Sequence, residues 1–165
     1  LDVGLRSHYT VSWYAAPLLV ANKGALVVNT SSFGGKIYMH GPAYGAGKAG
    51  VDKMAHDMAI DFQPFGVAVV SLWMGLLLTE RTQKVFERDR DRYAELLDST
   101  ESPELSGRII SQLASQDDLM HFSGQVLIGA ELAKLYSLKD KGGKEPISYR
   151  EVFCGPTEFG DVILR

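Results

Sequence analysis

The first twenty or so positions are mostly apolar. "DVGLRSHYTVSWYAAPLLVA" (Asp2 to Ala21) is interrupted only by Pro17, which predicts a helix bent or ended near the proline. Gly24 breaks that pattern, and "ALVVNTSS" (Ala25 to Ser32) follows as a short, β-branched, nearly continuous apolar run. Such a run predicts a strand buried on both faces. Gly34 and Gly35 open a loop that reaches about Pro42. From Ala43 the period becomes helical, with Val51, Met54, Ala55, Met58, Ala59 and Phe62 on one stripe. Pro64 and Gly66 end the helix, and "VAVVSLW" (Val67 to Trp73) is a second buried-strand run. Strand, helix and strand of these lengths make a βαβ unit, with a parallel pair and a right-handed crossover.

Beyond "MGLLLTE" lies the charged stretch "RTQKVFERDRDRYAELLD", where Val85, Phe86, Tyr93, Leu96 and Leu97 could form one apolar helix face. The remaining charges read as a solvated surface. Ser102-Pro103 reads as an N-cap and first-turn proline, opening a helix that carries Leu105, Ile109, Ile110 and Leu113. "GQVLIG" (Gly124 to Gly129) is a third strand. From about Leu138, "KDKGGKEP" predicts loop or mobile tail. The chain thus divides into an α/β domain over 1–137, with at least three parallel strands, and a tail over 138–165.

Composition narrows the function. The chain has 165 residues, 45% hydrophobic and 22% charged, as a globular domain with a real core requires. A formal net charge of -3 argues against nucleic acid as a partner. No apolar run approaches the roughly 18 residues of a membrane span, and none resembles a signal peptide. The lone Cys154 and the scattered His8, His40, His56 and His121 offer no metal-ligand spacing. These features fit an intracellular protein. The chain opens without Met and inside a helical pattern, as a piece of a longer domain would.

Candidate chemistry concentrates in "GPAYGAGKAG" (Gly41 to Gly50). A phosphate loop of the G-x-x-x-x-G-K-[ST] kind would need glycine at Pro42 and a hydroxyl at Ala49, and would follow its strand directly. It fails on all three counts. As a helix start, the stretch places Tyr44 and Lys48 four residues apart on one face. Gly45, Ala46 and Gly47 between them let a flat ligand approach the backbone. A protonated lysine and a helix N-terminus both favour phenolate, which suits a tyrosine to general acid–base work. The preceding strand ends in Ser31 and Ser32, at the edge of a parallel sheet where ligands bind. His40, in the same loop, and Trp73, at the next strand end, are candidates to line a substrate pocket.

A serine at a strand end, Y-x-x-x-K on the next helix and P-G-x-x-x-T after the following strand resemble the signature of the short-chain dehydrogenases/reductases. Here the matches read Ser31/Ser32, "YGAGK" and "MGLLLT", and the similarity covers essentially the whole chain as the C-terminal part of such a domain. The resemblance implies a Rossmann-like three-layer α/β/α fold with a parallel sheet, without its first βαβ units. It implies an NAD(P)-dependent oxidoreductase that reduces a small carbonyl or oxidises an alcohol. Tyr44 would exchange the proton, Lys48 would bind the nicotinamide ribose, and a serine would hold the substrate oxygen. Met74, Gly75, Leu77 and Thr79 would lie against the NAD or NADP cofactor. Family spacing points to Ser31, thirteen residues before the tyrosine, whereas S-x-x-G points to Ser32, which is favoured. Strand alternation allows only one to serve.

Three departures accompany the match. Met74 replaces the family's proline, loosening the turn, and Gly4 stands where an asparagine usually holds a relay water. The G-x-x-x-G-x-G spacing falls only on Gly41, Gly45 and Gly47, at the helix start and not directly after a strand, so no pyrophosphate turn is read and the alternative is a truncated, non-catalytic fragment that binds a partner. A homo-oligomer through the two long helices, and a cytoplasmic or endoplasmic-reticulum-associated location, complete the expectations.

Overall fold

The computed structural model describes residues 1–157 and 163–164. A π-helical turn over Asp2–Arg6 leads into α1 (Ser7–Val20). α1 runs three residues past Pro17 and stops at Val20, so the helix ends near the proline as expected. The proline sits in the final turn, where its missing N–H removes one ladder bond from a helix about to stop.

The sheet comprises β1 (Leu26–Ser31), β3 (Ala68–Trp73) and β4 (Val126–Ile128), all parallel, in the order β1-β3-β4. Between β1 and β3 come β2 (Tyr38–Met39), which the sequence did not reveal, and α2 (Pro42–Phe62). β2 pairs in parallel with β5 (Ile163–Leu164). α2 begins with Pro42 in its first turn, and Gly66 closes the turn after it at φ 68, a left-handed conformation that glycine adopts without strain.

β3 is buried along its whole length and divides its side chains between two layers. Val67, just before the strand, and Val69 meet Ala55, Met58, Ala59 and Phe62 of α2. Ala68, Val70 and Leu72 face the opposite layer. That layer is built by α5 (Pro103–Ala114), through Leu105, Ile109 and Leu113, and α6 (Gly129–Leu135), through Leu132 and Ala133. Two helical layers on a parallel sheet produce the three-layer arrangement. β1 departs from the expected burial on both faces: only Asn29 and Ser31 are fully buried. Among the described residues its sole strand partner is β3, so β1 is an edge of the described sheet.

The charged stretch also departs from the sequence reading. It folds as two helices, α3 (Glu80–Arg88) and α4 (Arg90–Leu97), broken at Asp89. Phe86 is buried and stacks on Tyr93 at 4.9 Å, while Val85, Leu96 and Leu97 remain exposed. Ser102 caps α5, its Oγ accepting from the Leu105 N–H at 3.3 Å. The segment after Leu138 has little regular structure, yet it contributes to the packing. Asp140 is buried and accepts the Ser102 N–H at 2.6 Å, while Phe153 packs edge-on against Phe33 at 5.4 Å. The expected tail also includes 158–162 and 165, which lie outside the described residues.

Candidate active site

β1 and β3 run in register, with Ser31 opposite Trp73. The loops that leave after Ser31 and after Trp73 therefore start side by side, at the edge of a parallel sheet suited to ligands. The first loop makes a tight turn over Phe33–Gly35, with Ser32 in an extended conformation at its entrance. The Ser32 Oγ accepts the Gly34 N–H at 3.3 Å and lies 3.0 Å from the Tyr44 hydroxyl. Gly34 makes this approach feasible: a Cβ there would stand 2.4 Å from Cε1 of the Tyr44 ring. Gly45 is similarly constrained, its Cβ position lying 3.1 Å from the Gly34 carbonyl oxygen.

Lys48, one helical turn beyond Tyr44, donates from Nζ to the Thr30 carbonyl at 3.2 Å and sits 5.9 Å from the centre of the Tyr44 ring. Burial pushes the lysine pKa below its ordinary value, and the negative charge of Asp52 opposes that shift. Ser31 takes a different role from Ser32. It is 1% exposed and donates to the Lys48 carbonyl at 3.3 Å, tying the first turns of α2 to the end of β1. The structure thus brings together Ser32, Tyr44 and Lys48, with Ser31 behind them.

His40 presents its ring edge-on to Tyr44, with centroids 5.2 Å apart. It is exposed, and its φ of 55 places it in the left-handed region immediately before α2. Trp73 is positioned otherwise than a pocket residue would be. Its indole is wholly buried, 4.8 Å from Phe33, and Nε1–H is donated to both carboxylate oxygens of Asp52 at 3.1 Å. The tryptophan belongs to the core beneath the site.

The second loop is held by a residue that no sequence pattern singled out. Glu101 is 3% exposed, and its Oε2 accepts the Gly75 N–H at 3.2 Å. Its backbone pairs beside Leu77, accepting from the Leu78 N–H and donating to the Leu76 carbonyl, each at 2.8 Å. Met74 therefore opens a turn fastened by Glu101, and it packs, partly buried, against the core cluster that includes Leu72 and Leu105. Thr79 caps α3, its Oγ1 accepting the Thr82 N–H at 3.2 Å.

Sequence reasoning also overlooked His8 and Asp52. His8 stands one turn past Gly4, half-buried near the Thr30 backbone, and burial and the Lys48 charge hold its pKa below the ordinary value. Asp52 lies one turn past Lys48, on the stripe that continues to Ala55 and Ala59. An acid on an apolar stripe was the available signal. Among the described residues no group of His, Cys, Asp and Glu is arranged to hold a metal ion. No described helix is long and apolar enough to cross a membrane. Chemically, the cluster offers a phenol, a hydroxyl and an ammonium around one point. Such a set can deliver or remove a proton at a substrate oxygen and stabilise charge there.

Comparison with known proteins identifies the family of this chain. The profile of the short chain dehydrogenase family matches residues 1–90. Over 155 residues the chain is 38% identical to mouse "Dehydrogenase/reductase SDR family member 1", covering 90% of this chain and 50% of the relative. The human protein of the same name is 36% identical over the same length. The chain therefore spans about half the length of the curated relatives it matches. Among solved structures, a 4-hydroxyisoleucine dehydrogenase mutant complexed with NADH and succinate superposes with a TM-score of 0.64 at 23% identity. The match covers 77% of this chain and 54% of that one, and it shows a shared Rossmann-type fold.

Proposed function

Because this chain belongs to the short-chain dehydrogenase family of oxidoreductases, we propose that it forms the proton-transfer half of an NAD(P)-dependent carbonyl reductase or alcohol dehydrogenase. The observation that carries the reading is the 3.0 Å approach of Ser32 Oγ to the Tyr44 hydroxyl, with the Lys48 ammonium 5.9 Å from the same ring. In this reading a substrate carbonyl oxygen lies between the two hydroxyls. Ser32 donates a hydrogen bond to it, and Tyr44 transfers its proton as negative charge develops. Lys48 stabilises the phenolate left behind. Alcohol oxidation runs the same proton path backwards.

The donor set fits the nicotinamide end of the cofactor. Lys48 carries three donors, of which the described hydrogen bonds use one, on Thr30, leaving others for ribose hydroxyls. Met74, Gly75, Leu77 and Thr79 would border the same end from the second loop. When bound, NAD or NADP supplies the hydride chemistry. The G-x-x-x-G-x-G spacing of this chain, Gly41, Gly45 and Gly47, belongs to the start of α2, which carries Tyr44, so the pyrophosphate would be held by other residues.

The test joins the uncovered N-terminal part of the mouse relative to Leu1 and follows oxidation of NADH and NADPH with a panel of small ketones and aldehydes. Turnover supports the proposal, and a folded chimaera inert to the whole panel rejects it. A second reading, a non-catalytic association module, is favoured by α1, where Tyr9, Trp13, Tyr14 and Leu18 are all exposed. Sedimentation of the isolated chain separates the two, since a stable dimer whose chimaera is inert supports the second.

A further inference from the structure

α2 buries a carboxylate directly beneath its reactive face. Asp52 is 7% exposed, and its Oδ1 accepts the Ser71 hydroxyl at 2.6 Å in addition to the Trp73 indole. Ser71 and Trp73 occupy alternate positions of β3, so both project toward the helix. The loop after β1 closes the site from the other side: a Cβ at Gly35 would lie 3.1 Å from Asp52 Oδ2. Each element facing the carboxylate therefore has a defined contribution. β3 supplies the neutral donors Ser71 and Trp73, β1 supplies Ser31, the loop supplies the charge of Lys36, and α2 supplies Lys48.

An isolated buried carboxylate is costly unless donors and an opposite charge surround it. Burial pushes the Asp52 pKa up, and the donors Ser71, Ser31 and Trp73, the last with an indole N–H that can only donate, oppose that shift and favour the carboxylate. A half-buried ammonium one turn away, that of Lys48, has the converse need. We propose that Asp52 is a positioning residue for Lys48, supplying from the floor of the site the counter-charge that keeps the half-buried ammonium protonated beside Tyr44. The catalytic significance rests on the reading of Tyr44 and Lys48 as the reactive pair, but the coupling itself is a property of this chain.

Burial and Asp52 act on Lys48 in opposite directions, so removing the Asp52 charge must lower the lysine pKa further. NMR titration of the lysine side-chain signals of the 165-residue chain reads this directly. In Asp52→Asn, which keeps the shape of the group, the Lys48 midpoint moves to lower pH. Lys48→Met identifies the Lys48 signal in the same spectra. A Lys48 midpoint identical to wild type overturns the proposal. Should Asp52→Asn not fold, Lys48→Met reads the same coupling from its other end, since coupling between two sites is reciprocal. The Asp52 carboxyl signal then titrates at higher pH than in wild type, and an unmoved signal overturns the proposal. Neither titration needs turnover, so an inert chimaera counts against the catalytic reading alone.

Discussion

The Ser32 hydroxyl lies 3.0 Å from the Tyr44 hydroxyl, while its neighbour Ser31 donates to the Lys48 carbonyl and is closed off from solvent. Adjacent serines at one strand end therefore have separable roles. In the active chimaera, Ser32→Ala should lower kcat by about 10²–10³-fold, the cost of losing one charge-stabilising donor, with little change in melting temperature. Ser31→Ala should instead cost about 0.5–1.5 kcal/mol of stability and leave most of the turnover. Steady-state kinetics alongside thermal melting check the pair, and the reverse pattern would reassign the serine.

Gly34 admits the Tyr44 ring because it lacks a side chain. Gly34→Ala should displace the ring rather than unfold the turn, since the far end of a side chain yields more easily than backbone. Turnover then falls sharply while stability changes by no more than about 1–3 kcal/mol, the usual range for overpacking. A variant with wild-type kcat would show that the ring need not rest against this glycine.

Glu101 gives the fold a pH signature. Burial pushes its carboxyl above the ordinary glutamate value; the Gly75 N–H opposes this, nearby Asp140 adds to it and Lys144 counters. A value raised in the folded state favours the protonated form. The resulting stabilisation is complete below the ordinary glutamate range and is lost as pH rises through the folded value. Glu101→Gln removes that loss. Its melting temperature relative to wild type should therefore climb between about pH 4 and pH 7. A difference that stays flat or falls contradicts the burial argument.

Cofactor affinity offers another test. The 165 residues supply Tyr44 and Lys48 but no glycine-rich pyrophosphate turn. Calorimetry of the isolated chain with NADH and NADPH should show no binding in the low micromolar range, and the chimaera should bind. Tight binding by the isolated chain would mean that another part of it holds the pyrophosphate.

Much of this arrangement is legible in the sequence because it follows from period and spacing. The apolar stripe from Val51 to Phe62 sets α2 on the sheet, and four-residue spacing sets Lys48 beside Tyr44. The choice between Ser31 and Ser32 was less accessible: alternation shows that one faces the helix backbone, but the turn at Phe33–Gly35 decides which serine meets the phenol. Asp52 and Glu101 were hidden because acidic residues ordinarily mark surface, and their partners come from 19 and 26 positions away. Trp73 was misplaced for the same reason, since its indole is turned inward by a buried acceptor that no local pattern announces. The break at Asp89 escaped because the charged residues around it keep a helical rhythm on both sides.

The central claim is that the Tyr44 hydroxyl transfers the proton. Its most direct test compares wild-type and Tyr44→Phe chimaeras, both folded by circular dichroism, in NAD(P)H-dependent reduction of the best ketone of the panel. Loss of the phenolic proton donor should lower kcat by about 10²–10⁴-fold, the range typical of general acid catalysis. Turnover by Tyr44→Phe equal to that of the wild type would contradict the account.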